Sequence, residues 1–175
     1  LLAKRSGGSW GAAIGVVGGS PPGSGVVQWV ELVHRSGTDE ITLVYLDANS
    51  DLFTTTWTGT LWSAATTLST AVRSITVKSF DVAYESVSSD LMVVWTQNGG
   101  VLDYSTKPLG GTWSTTTFDT SGSSTVYIMS LASQPGTDRI AFASHSDWPV
   151  SRLIMWTGSA WTNDVEPDAI AVGNG

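Results

Sequence analysis

The chain is predicted to be all-β, built as tandem four-stranded antiparallel blades in about three and a half repeats of roughly 50 residues. Three observations predict this. One short pattern occurs as Arg5-Ser6-Gly7-Gly8-Ser9-Trp10, Trp57-Thr58-Gly59-Thr60-Leu61-Trp62, Pro108-Leu109-Gly110-Gly111-Thr112-Trp113 and Trp156-Thr157-Gly158-Ser159-Ala160-Trp161. Its closing tryptophans recur about every 50 residues, a period of β units that stack on one another. Between these copies the apolar residues alternate or run on in short stretches, and no segment of about ten residues or more carries a helical period.

Taken in order, residues 1–14 read as a partial blade holding strands three and four, and 15–26 as a Gly/Pro/Ser connector, flexible or polyproline-like. Residues 27–74, 75–124 and 125–163 read as complete blades, and 164–175 as the start of the next connector. Ile41, Leu91 and Ile140 are equivalent positions, each following a polar turn (Gly37-Thr38-Asp39-Glu40, Ser88-Ser89-Asp90, Gly136-Thr137-Asp138-Arg139). Upstream of each, the first strand sets Val30 and Leu32, Phe80 and Val82, or Met129 and Leu131 on one face. Its other face carries Trp29, Glu31 and Val33, then Ser79, Asp81 and Ala83, then Ile128, Ser130 and Ala132.

The second strand (Ile41 to Leu46, Leu91 to Trp95, Ile140 to Ala143) is near-continuously apolar, so both its faces are expected to be buried between stacked sheets. The third (Leu52 to Trp57, Val101 to Pro108, Leu153 to Trp156) meets the fourth at the repeated pattern. Its glycines suit two-residue hairpin turns that need a positive φ. Such turns set Trp57 opposite Trp62, Trp156 opposite Trp161, Pro108 opposite Trp113 and Arg5 opposite Trp10, the last as a cation–π pair.

Only 13% of the 175 residues are charged and the net charge is −7, so there is no basic surface for nucleic acid. Cysteine is absent while Thr, Ser, Gly and Trp abound, a mix expected of an extracellular or cell-surface β protein. No apolar run nears the roughly 20 residues that cross a bilayer, so membrane insertion is not expected, and Leu1-Leu2-Ala3-Lys4-Arg5 lacks a signal peptide's apolar core. A half-repeat beside three whole ones reads as a piece of a longer array, or as a chain whose missing strands a neighbour supplies.

The blade pattern ending in Trp-Thr-Gly-x-x-Trp resembles the tandem repeats of secreted bacterial β-propeller-like proteins, including tectonin-type and fucose-lectin-type propellers. The resemblance implies a β-propeller-like fold shared by lectins, adhesins and surface filaments, and does not fix function. The Ser-x-Asp-x-Gly-x-x-Trp box of sialidase-like propellers and the Gly-His and Trp-Asp signature of the WD type are both missing.

The aromatics Trp57, Trp62, Trp148, Trp156 and Trp161 are the candidates for stacking on a glycan, against the reading that they pack blade on blade. Asp47-Ala48-Asn49-Ser50-Asp51 starts like a calcium loop, but Leu52 and Thr58 stand where its glycine and closing glutamate belong, so it reads as a turn. Glu31 and Asp81 occupy equivalent first-strand positions where a glycosidase pair would sit, although Ser130 breaks the series and channel carboxylates are the commoner case. Ser144-His145-Ser146-Asp147 holds the letters of a catalytic triad, yet strand neighbours face opposite ways, and the segment reads as turn chemistry. His34 and His145 are not equivalent, which argues against zinc.

No catalytic residue, metal or cofactor is therefore expected. The expected function is a non-enzymatic extracellular structural protein whose units associate end to end with copies of themselves, as a filament or tandem array. The alternative is a glycan-binding lectin or adhesin module.

Overall fold

The computed structural model describes residues 5–12, 25–73, 76–97, 101–118, 126–146 and 151–162, and these hold strands and no helix. A short hairpin, β1 (Arg5–Ser6) with β2 (Ser9–Trp10), comes first. The first blade is β3 (Val27–His34), β4 (Ile41–Asp47), β5 (Leu52–Trp57) and β6 (Thr66–Ser69). The second is β7 (Phe80–Tyr84), β8 (Leu91–Thr96), β9 (Leu102–Lys107) and β10 (Ser114–Phe118). The third is β11 (Val126–Ser133), β12 (Ile140–Ser146) and β13 (Ser151–Trp156), with Trp161 bridging back to Trp156. Every sheet is an antiparallel meander in chain order, and among the described residues the three blades do not close into a ring.

The registers align the blades independently of the sequence pattern. Ile41 pairs with Trp57, Leu91 with Lys107 and Ile140 with Trp156, so Lys107, not Pro108, stands at the tryptophan position of the second blade. This corrects the expected Pro108–Trp113 pair, and proline's missing N–H explains it. In the flanking blades, Thr58 N donates to Leu61 O at 3.0 Å and Thr157 N to Ala160 O at 2.9 Å, closing two-residue turns on Gly59 and Gly158, each at φ 94°. Pro108 has no such proton to give. The second hairpin instead closes from Gly111 N to Pro108 O at 2.8 Å, Thr106 pairs with Ser114, and the Lys107 ammonium lies 6.0 Å from the Trp113 ring centroid. Trp57 bridges to Trp62 as expected, and Arg5 pairs with Trp10 through the backbone. The Arg5 side chain, on which the expected cation–π contact rests, lies outside the described residues.

The core lies between sheets. Val44, Leu46 and Leu52 of the first blade pack with Phe80, Val82, Leu91, Val93 and Trp95 of the second. The second blade's other face, Ala83, Met92, Val94 and Leu102, packs with Met129, Leu131, Ile140, Phe142, Ile154 and Trp156 of the third. Odd and even positions of one strand thus serve two different interfaces. The expectation that both faces of the second strand are buried holds throughout β8. It fails in β12, where Ala143 and His145 are exposed because no described residue covers the third blade's far face. For the same reason Val30 and Leu32, equivalent to the buried Phe80 and Val82, are 56% and 50% exposed on the first blade's outward face.

β12 also runs on through Ser146, so Ser144-His145-Ser146 is strand and not turn. The alternation that denies it a triad is intact: Ser144 is buried and His145 exposed. Asp147 and Trp148 lie outside the described residues, as do residues 13–24 of the expected connector and its successor at 164–175.

Candidate functional site

The contact between the second and third blades brings together the most chemistry. Trp156 and Trp161 face each other across the hairpin with ring centroids 5.4 Å apart. Tyr104 of β9 sits against both, at 5.6 Å and 5.7 Å, in tilted and edge geometries that suit the ring quadrupoles. Trp156 is only 6% exposed, and its indole Nε1 donates to Glu85 Oε1 of the second blade. Ser88 Oγ donates to the other Glu85 oxygen. Burial raises the Glu85 carboxyl above its ordinary value of 4.5; the Ser88 and Trp156 hydrogen bonds oppose the rise, and Asp138 and Asp90 add to it.

Beside this, Asp138 caps the second blade's turn. Its Oδ1 accepts Val87 N at 3.0 Å and Ser88 N at 2.7 Å, while Ser86 N donates to Thr137 O at 3.1 Å and Gly136 N to Ser86 Oγ at 2.9 Å. Trp156 and Trp161 are therefore packing residues at an interface. Sequence reasoning did not find Glu85 and Tyr104 as their partners, nor Asp138 as the cap of the second blade's turn. The available signal was the Gly-Thr-Asp turn shared by residues 37–39 and 136–138.

Trp57 and Trp62 form the equivalent pair in the first blade, 5.8 Å apart and tilted by 53°. They are half-buried on the outward face, where no described residue plays the part of Tyr104. Of the five tryptophans proposed for glycan stacking, this pair alone is described on an open face, and Trp148 is not described.

Glu31 and Asp81 do converge, on a residue the sequence reading passed over. Lys78 Nζ lies 2.7 Å from Glu31 Oε2 and 2.8 Å from Asp81 Oδ1, and Asp81 Oδ2 accepts Leu131 N at 2.6 Å. Burial lowers the Lys78 pKa, but hydrogen bonds to Asp81 and Glu31 outweigh it and leave it raised. Through Lys78 and the Leu131 N–H the carboxylates link the first strands of three successive blades, with both Asp81 oxygens and Glu31 Oε2 engaged in that task. A parallel link joins the first two blades higher up, where Tyr84 OH donates to Glu40 Oε1 at 2.9 Å and lies 2.7 Å from Thr42 Oγ1. Burial pushes that phenol far above its usual range, with Thr42 opposing and Glu40 adding.

The Asp47 loop is an Asx-type turn. Asp47 Oδ1 accepts Asn49 N at 2.8 Å and Asp51 N at 3.1 Å, and Oδ2 accepts Gly25 N at 3.2 Å. Its oxygens face backbone N–H groups, an arrangement that serves the turn, and no group of three or more potential metal ligands occurs among the described residues. No known family model matches this chain, and no curated protein sequence matches it significantly.

Proposed function

We propose that this chain is a non-enzymatic, extracellular structural protein whose blade stacks associate end to end with copies of themselves into a filament or tandem array. One observation carries the reading: among the described residues the stack ends in two sheet faces that both expose apolar side chains, Val30 and Leu32 at one end and Ile128 and Leu153 at the other. Large exposed apolar faces mark sites of association. Inside the molecule, every equivalent face is covered by another blade. Electron microscopy of the native material, beside sedimentation of the isolated chain, tests this. Fibres with a regular axial repeat are expected; discrete monomers in both would overturn it.

A second reading, a glycan-binding lectin or adhesin module, is favoured by the half-buried Trp57–Trp62 pair on an open face. It predicts that Trp57→Ala abolishes binding on a glycan array while the melting temperature stays within a few degrees.

A further inference from the structure

We infer that the outward face of the first blade docks on the far face of the third blade of a second copy, repeating the contact by which the third blade seats on the second. The inference rests on the end-to-end reading above and assigns its interface. The first and third blades carry the same seating groups in the same register. Trp57, Trp62 and Asp39 stand where Trp156, Trp161 and Asp138 do, and Val30 and Leu32 where Met129 and Leu131 do. In the third blade these groups are engaged, Asp138 with the Val87 and Ser88 N–H groups, the tryptophans with Tyr104 and Glu85. In the first blade Asp39, Val30 and Leu32 are exposed.

The receiving face is repeated at its apolar and acceptor positions. By the same registers, Ala132 of the third blade stands where Ala83 does in the second, Leu153 where Tyr104 does, and Gln134 where Glu85 does. Leu153 is 44% exposed and Ile128, on the same face, 65%. A Gln carbonyl accepts an indole N–H as a carboxylate does, and the leucine offers the tryptophan rings an apolar surface to bury. The Gly136 and Thr137 N–H groups, equivalent to the Val87 and Ser88 donors, are already engaged with Ser86 Oγ and Gln134 O, so in this contact Asp39 pairs instead with the exposed Arg139 of the same turn. Because the two faces differ, the pairing is heterologous and propagates as an open chain.

The test uses the whole chain and two double variants at exposed positions, Leu32→Arg with Asp39→Arg on the seating face, and Ile128→Arg with Leu153→Arg on the receiving face. Circular dichroism melts check that each still folds. In sedimentation velocity over a concentration series, the wild type is expected to form species that lengthen with concentration. Each variant alone requires about thirtyfold more protein or stays monomeric, the loss of a central hot spot. Mixed, the two variants form a dimer and nothing larger, since one intact pair of faces remains. Variants that each assemble like the wild type would overturn the docking faces and leave end-to-end association standing. Association lost only in the seating-face variant would mean a symmetric contact between first blades, and would overturn it too. A wild type that stays monomeric, or that binds a glycan array through Trp57 as a monomer, gives the face to another occupant and ends the proposal; fibres in native material would then still support the broader reading.

Discussion

Lys78 places one ammonium between carboxylates of two blades, and its removal leaves Glu31 and Asp81 facing each other. Lys78 and Glu31 are partly exposed, so screening reduces the effect below that of a buried pair. Lys78→Met is expected to cost about 1–2 kcal/mol in urea denaturation, and adding Glu31→Gln to recover part of it. High salt should narrow the gap between wild type and Lys78→Met. Glu85 behaves in the opposite sense. Its folded pKa is raised, so its favourable contribution is complete below the ordinary 4.5 and is lost as pH rises through the folded value. Glu85→Gln keeps an acceptor for Trp156 and has nothing to ionise. The melting temperature of wild type minus that of Glu85→Gln is therefore expected to be most favourable near pH 4 and to decline above it, and a flat difference would count against the buried acid.

At the scale of elements, the Trp-Thr-Gly-x-x-Trp hairpins act as clasps. Gly59 and Gly158 both sit at φ 94°, where an added Cβ would lie 3.3 Å from Asp39 Cβ and 3.0 Å from Asp138 Cβ. Each Gly→Ala is expected to cost about 1–2 kcal/mol in thermal melts. Gly158→Ala should cost the more, because displacing Asp138 also disturbs its bonds to the second blade. Trp156→Ala removes a buried anchor and is expected to cost about 3–5 kcal/mol, while Trp62→Ala, half-buried on the open face, costs roughly 1. Equal losses would mean the two pairs are packed alike. Much of this was legible in sequence: the period gave the blades, alternation gave the shared faces of Val30 with Leu32 and of Met129 with Leu131, and glycine gave the turns. The second hairpin was not, because the shift at Pro108 hangs on one backbone proton that composition hides. Nor were Lys78 between Glu31 and Asp81, or Tyr104 between two tryptophans. Alternation tells which side chains share a face, but which neighbour that face meets is settled by stacking.

For the whole molecule, stability should follow position in the stack. A series of repeats touching only their neighbours behaves as a sum of blade terms and interface terms, so the blade with two covered faces resists opening most. The second blade is that blade: β8 is buried along its whole length, while β3 and β12 alternate between covered and exposed positions. In hydrogen exchange on the monomeric Leu32→Arg, Asp39→Arg chain, amides of β8 are expected to exchange slowest, and those of β3 and β12 at least about tenfold faster through local opening at the ends. If copies associate end to end as proposed, each end face of the wild type becomes an interior one. Protection in β3 and β12 should then rise toward that of β8, which changes little. If the end blades are already as protected as β8 in the monomer, the stack opens as one unit and its ends are not weak. If assembly leaves β3 unprotected, the seating face is not where copies meet. Exchange thus reads in one profile both the internal order of the stack and whether the proposed contact between copies uses its two end faces.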